Sequence, residues 1–547
     1  MLFTPLRNSV SVLSLVSLLF WTVEVVHGQV DLRVEIDRHI EQAWRDHDVQ
    51  PAERASDAEF QRRLYLDLLG MIPADHEAVA FLDDSDSAKR QKLIDRLLND
   101  PRFARHQTEV WDQVLFGRNP PGYGTDRREG FQSWLRKQFE QNTPYDQWVK
   151  AILVAEGNSV DDGAPMFLVQ YRNQPEDATE AVTQKFLGVQ LQCARCHDHP
   201  FESWTQLDFY GMAAFFARLQ VVEVGKKNNL AMYAIGEKNR GDVLFTGPVT
   251  EQEVGKKGEP VKPKFLQGEP LQEPELPADF REDRSFPNGK MPTQPQFSRK
   301  DQLANWIVRN DNPYFARAVA NRVWAQFLGR GIVHPVDSMS ESNAPSHPEL
   351  LDTLTAALVE YRFDLKRYIR ELVSSRTYQL SGGGKVEAAM PQWFERARTR
   401  PLTAEELLDS WRVAVGYEGI EQASGRKPSD DRYAPLGAGY LMQFFGSPSN
   451  GVGDFQGGLH EHLYLNNGGL STIVSTAKGG LHDTLLNSDS PWEARVERLF
   501  LSLLSRRPNA QERAHFVAYL TAESDPRARL SEAIWVLITC SEFRFNH

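Results

Sequence analysis

The sequence predicts a mainly α-helical protein, built as two helical domains separated by a Gly/Pro-rich segment with a few short strands. Three observations carry this. Ser or Thr recurs three residues before Glu or Gln, a pattern in which both side chains satisfy the free N–H groups that open a helix. Apolar residues then return at helical spacing. Residues 221–296 break that rhythm with Gly, Pro, Lys and Glu.

Taken in order, residues 1–28 read as a signal peptide. Arg7 precedes an apolar run from Val10 to Trp21 and on to Val26, and Val26-His27-Gly28 offers a cleavage site before Gln29. Serines and Glu24 interrupt the run, which is short for a membrane span, so cleavage is expected and the mature protein should be periplasmic or extracellular. No later segment is apolar enough to span a bilayer.

A front helical domain is expected over 29–220 and a second helical domain over 297–547, with a linker or small β insert at 221–296. Helix starts are placed at Ser56–Glu59, Ser203–Gln206, Ser346–Glu349, Thr403–Glu406 and Ser490–Glu493, where Pro491 suits a first helical position. Phe60, Leu64 and Leu68 form one apolar stripe, and Leu350, Leu354 and Leu358 another. Arg495 to Leu504 and Leu530 to Ile538 read as closing helices. Within the insert, Val243 to Phe245 and the stretch near Ala231 to Ile235 read as strands, and Gly255 to Pro295 as loop.

The chain has 547 residues, 41% hydrophobic and 25% charged, with a net charge of −12. That length allows real cores, and that charge does not suit nucleic acid or anionic membranes as partners.

The chemistry concentrates in Cys193-Ala-Arg-Cys196-His197. Two thiols three apart, followed at once by imidazole, match covalent attachment of c-type haem. The thiols add to the porphyrin vinyl groups, and His197 takes the proximal position on iron. With only 3 Cys and 14 His in the chain, chance is a poor explanation. The same Cys-x-x-Cys also suits a disulfide or half of a zinc site, with His199 as a further ligand in the zinc reading. Met212 is the nearest helical methionine after the motif for a sixth iron position, and Met166 precedes it. Val182, Phe186 and Val189 should line a helix leading in. Phe209, Met212, Ala213 and Phe216 should line one leading out, so that aromatic walls flank the loop. Cys540 reads as a buried free thiol.

Other groupings are less specific. His347 beside Glu349 and Asp352 suits a carboxylate–histidine site or simple capping, and Asn321-Arg322 suits an anion or a buried ion pair. His460 and His462 form an i, i+2 pair with no third ligand. No nucleophile elbow, phosphate loop or glycosidase carboxylate pair is identifiable.

Phe186 to Phe201, with Trp204-Thr-Gln206 and Asp208-Phe-Tyr-Gly211, resembles the planctomycete secreted cytochrome-like domain of the second type. Arg62 to Gly70, then Ile72-Pro73, resembles its opening segment. Asn312 to Arg317, Asn321 to Trp324, Gly329 to Val333, Ser346 to Leu350, Ser375 to Tyr378 and Ser541 to Asn546 resemble the planctomycete secreted domain of the first type. The resemblance implies an exported protein with a cytochrome-like front domain and no assigned reaction. Many relatives add an N-terminal cytochrome c domain, which is absent here. Many also carry a cysteine-bearing segment after a Phe-Gly, whereas Phe445-Gly-Ser-Pro448 and Ser449 to Gly458 hold no cysteine, which implies a single centre.

The expected function is electron transfer, through haem, to an unidentified secreted redox partner. The alternatives are a non-redox binding or scaffold protein with a structural disulfide or zinc, or an accessory of a polysaccharide-processing partner in extracellular breakdown.

Overall fold

The computed structural model describes residues 1, 31–117, 129–227, 230–247, 258–281, 294–383, 390–417, 478–522 and 525–547. The apolar run before Gln29, the Phe445 to Gly458 segment and His460 to His462 lie outside the described residues. The fold is mainly helical, as expected, with small sheets.

The front half runs α1 (Leu32–Asp46), α2 (Asp57–Leu69), α3 (Asp75–Leu82), α4 (Lys89–Leu98), α5 (Pro101–Phe116), α6 (Glu129–Glu140), α7 (Tyr145–Leu153), β1 (Gly157–Asn158), α8 (Met166–Val169), α9 (Pro175–Val182) and α10 (Gln206–Ala213). The insert holds β2 (Leu219–Lys227), β3 (Leu230–Glu237), β4 (Val243–Phe245) and β5 (Glu259–Val261). The rear runs α11 (Arg299–Ile307), α12 (Phe315–Leu328), α13 (Pro348–Glu360), α14 (Leu365–Ser374), β6 (Arg400–Pro401) and α15 (Ala404–Ala414). It closes with α16 (Leu481–Leu486), α17 (Trp492–Leu504), α18 (Ala510–Thr521), α19 (Pro526–Thr539), α20 (Ser541–Arg544) and β7 (Phe545–Asn546).

Local chemistry explains the helix ends. Ser56 caps α2 by accepting from the Glu59 N–H, and Thr403 with Glu406 makes the reciprocal box on α15, as the sequence predicts. The other three expected caps lie elsewhere. Thr205, not Ser203, caps α10, with Asp208 as the reciprocal carboxylate. The Ser346 hydroxyl is spent on the Ile332 carbonyl, so α13 begins at Pro348 behind His347. Pro491 precedes the first residue of α17.

Two apolar cores result among the described residues. The larger draws on Leu32, Phe60, Trp111, Phe186 and Phe209 from the front, and on Leu303, Phe315, Trp324, Leu354 and Tyr368 from the rear. The smaller gathers Trp411, Leu499, Phe500 and Ile534 around Leu66 and Ile72. The interior therefore runs straight across 221–296: Tyr145 stacks on Phe315 at 5.1 Å, and its N–H donates to the Phe363 carbonyl. The insert is packed too. β1, β3 and β2 form an antiparallel sheet with a bulge between Glu223 and Gly225, and Phe265 stacks on Trp306 at 5.2 Å. Arg299, nearly fully buried, joins Glu273 and the carbonyls of Ala214 and Gly241.

α2 lies where the two cores meet. Ten of its thirteen residues are buried, including Arg62, Arg63 and Asp67. Arg62 donates to the carbonyls of Glu542 and Phe543. Arg63 donates to those of Tyr378, Leu380 and His547 and to Glu59. Asp67 accepts from the Tyr378 hydroxyl, Arg400 and Asn546. Arg63→Met keeps the buried stem and strands these acceptors. It should lower unfolding free energy by about 3 kcal/mol, read as a lower urea midpoint. An unchanged midpoint would show that the guanidinium is dispensable.

Candidate functional site

The motif is delivered by an irregular turn. α9 passes into a π-helical turn, Thr183–Leu187, of a kind that often marks functional positions. Gly188 ends it in the left-handed region at φ +69°, and a Cβ there would press to 3.3 Å on Ala318 and Met339. The chain then makes a 3-10 turn, Gln192–Arg195. The N–H groups of Cys196 and His197 both donate to the Cys193 carbonyl, which places all three motif side chains on one turn.

The turn is strapped down while its chemistry faces outward. Ala194 is fully buried, whereas Cys193, Cys196 and His197 are exposed, and neither thiol is in a disulfide. Arg195 pairs with Asp177 at 2.8 Å and Glu180 at 3.1 Å on α9. Its carbonyl accepts from the Tyr210 hydroxyl and the Gln206 amide. Asp198 accepts from the first N–H of α10 at 2.8 Å. Glu202 accepts from the N–H groups of Glu341 and Ser342, which fastens the loop to the rear half.

The two histidines have different tasks. His197 Nδ1 lies 2.7 Å from the Asp198 carbonyl, which can only accept, so Nδ1 carries the proton and Nε2 keeps a free lone pair. His199 Nδ1 accepts from the N–H groups of Phe201 and Glu202, and its backbone N–H donates to the Trp204 carbonyl. With Nδ1 accepting, a neutral His199 holds its proton on Nε2. That is the state of a turn-forming histidine. Among the described residues no three His, Cys, Asp or Glu side chains gather to hold a metal ion.

The expected aromatic walls face the interior. Phe209, Met212, Ala213 and Phe216 are buried, and Trp204 nearly so, while Phe201 is 80% exposed. Met212 is sealed in the larger core and Met166 is buried, so this arrangement presents neither thioether on the surface that carries His197. Alternation within the helices placed the apolar face correctly, but only tertiary packing decides whether that face meets a loop or a core.

The remaining candidates have structural tasks. Asn321 brackets Val333 from both sides, donating to its carbonyl and accepting from its N–H, and Arg322 forms a buried ion pair with Asp337. His347 is buried against Trp393 and Phe394, and Asp352 pairs with Arg317 instead. Cys540 is half-buried and unbridged, its thiol donating to the Leu537 carbonyl. Arg195, Asp198, Glu202 and Tyr210 are the motif's supports that the sequence reading did not single out. Asp198, directly before His199-Pro200 and ahead of a capping box, was the available signal.

Residues 35–221 match the family model PSCyt2, described as a protein of unknown function (DUF1549), and residues 299–434 match PSD1, described as a protein of unknown function (DUF1553). The chain carries these two domains in that order, the first with a cytochrome-like name and neither with an assigned function. No curated protein and no solved structure matches it.

Lys185, on the π turn, donates to the Val114 carbonyl at 2.7 Å at the end of α5. Burial drives its amine down to about 8, and Arg322 pushes the same way. Between pH 8 and about pH 10 the unfolded chain holds this proton and the folded chain does not, so stability gains a rising component with pH. Lys185→Met should remove that rise from the urea midpoint. Parallel wild-type and variant curves would contradict the assignment.

Proposed function

Because the chain joins a cytochrome-like domain to a second domain of unknown function, we propose that it is an exported haem protein that passes electrons to a partner. Cys193 and Cys196 would hold the porphyrin as thioethers, and His197 would face the iron through Nε2. The observation that supports this best is the tautomer of His197. Its Nδ1 proton is committed to the Asp198 carbonyl, which fixes the ring and leaves Nε2 available on the same exposed turn as both thiols.

When bound, haem would supply a one-electron couple. The chain's own residues do the rest. Asp198 binds the start of α10 through its carboxylate and orients His197 through its carbonyl. Arg195 clamps the turn to α9. Exposed Phe201 and Leu207 and half-buried Tyr210 would limit water around the group. Export is part of the same reading, resting on the apolar run before Gln29; among the described residues no helix is long and apolar enough to cross a membrane.

A second reading, a non-redox binding protein, draws on one observation: the Arg195, Asp198 and Glu202 side chains around the turn each hydrogen-bond to other groups of the protein.

The test is to produce the full chain in a host that attaches haem to exported proteins. A Soret band that survives denaturation and acid–acetone extraction is expected, with an intact mass heavier by one haem. Cys193→Ala or Cys196→Ala should reduce attachment, and His197→Ala should alter the spectrum even where attachment persists. A colourless product with the mass of the bare polypeptide would overturn the proposal in favour of the second reading.

A further inference from the structure

Around the motif, the surface combines exposed apolar side chains with an excess of carboxylates. Phe201 is 80% exposed and Leu207 54% exposed, whereas Phe209 and Met212 beside them are buried. Leu207 and Tyr210 lie three apart on α10 and share a face. The Tyr210 hydroxyl reaches the Arg195 carbonyl, so this face adjoins the motif directly. Neither Phe201 nor Leu207 is needed for the core, and both leave apolar area in water beside the thiols and His197.

The same surface is acidic. Asp177 and Glu180 share one arginine, Arg195. Glu176 lies close enough to Tyr210 to act on it through charge. Asp198 is exposed, Glu202 meets only hydroxyl and backbone donors, and Asp208 pairs with Lys264. Among the described residues, these six carboxylates stand beside the cations Arg195 and Lys264 that pair with some of them. Such a field would draw in a positive surface and repel a negative one, with strong dependence on salt.

Accordingly, we infer that the surface bearing Phe201, Leu207 and the motif is a docking face for a small basic protein whose lysines ring its own redox centre. The inference rests on the redox reading of the motif and names the class of its partner. Charge complementarity supplies the encounter and its speed, and the Phe201–Leu207 area supplies the short-lived apolar contact of a transient complex. An anionic lipid surface has the wrong sign for this face.

The probe is a cationic mitochondrial cytochrome c, compared with the same protein after lysine acetylation, which keeps fold and haem but removes positive charge. The full chain is titrated with each by calorimetry. Binding should be weakened at least about tenfold by acetylation, and by a similar factor between about 20 mM and about 200 mM salt. Phe201→Ser with Leu207→Ser should weaken it about tenfold, and so should Glu176→Gln with Asp177→Asn, each with unchanged circular dichroism. Equal affinity for native and acetylated probe would overturn the inference, as would binding to phosphatidylserine vesicles in preference to the cationic protein. Since binding is scored beside the Soret band, a colourless chain that still binds the cationic probe overturns the haem reading alone. A haem-bearing chain that does not bind it overturns the docking face alone.

Discussion

The rest of the structure depends on the burial of charged side chains along one helix. α2 carries two guanidinium groups and a carboxylate into the interior, where an unpaired charge would cost several kcal/mol. The chain meets this cost by bringing its own distant backbone to them. Arg62 and Arg63 bind carbonyls at 542, 543 and 547 and at 378 and 380, so the front of the chain fixes the position of its last residues. Asp67 adds side chains from Tyr378, Arg400 and Asn546. Since Leu66 and Ile72 belong to the smaller core and Phe60, Leu64 and Leu68 to the larger, α2 joins both. The Nε and Nη1 groups of Arg62 remain without a hydrogen-bond partner, and burial disfavours its charge.

That constraint reaches the motif. The cytochrome-like turn rests on α9 and α10, which pack into the larger core, and Glu202 carries it onto Glu341 and Ser342 of the rear half. A turn held on all sides can keep both thiols and an oriented imidazole in water without losing its shape. Pre-organisation of this kind is what a covalent prosthetic group needs, because the backbone must not reorganise once the bonds form. The exposed side of the turn then doubles as the face a partner would touch.

Much of this was legible. The Ser56 and Thr403 caps, the strands at Val243 and Ala231, and the stripes at Phe60 and Leu350 follow from local rules that hold wherever tertiary contacts do not compete. What could not be read was non-local. Nothing in Ser203 says that Thr205 will take the cap, and nothing in Arg322 says that Asp337 lies opposite. The Gly/Pro-rich composition of 221–296 suggested a divider. Yet Leu266, Phe265 and Arg299 show how such a stretch can be stitched onto helices on both sides. At the site, Cys193, Cys196 and His197 were evident from spacing. The opposite assignments of His197 and His199 were not, because ring tautomers follow from hydrogen bonds that only the fold supplies.

The central claim is that α2 makes the two cores one cooperative unit on which the motif turn rests. Native-state hydrogen exchange across a series of low urea concentrations measures this directly. The slowest amides of α2, of α12 in the larger core and of α17 in the smaller should open with one free energy and one urea dependence. If α17 to α19 opened at a distinctly lower free energy and with a smaller urea dependence than α2 and α12, the cores would be separate units and the claim would fail.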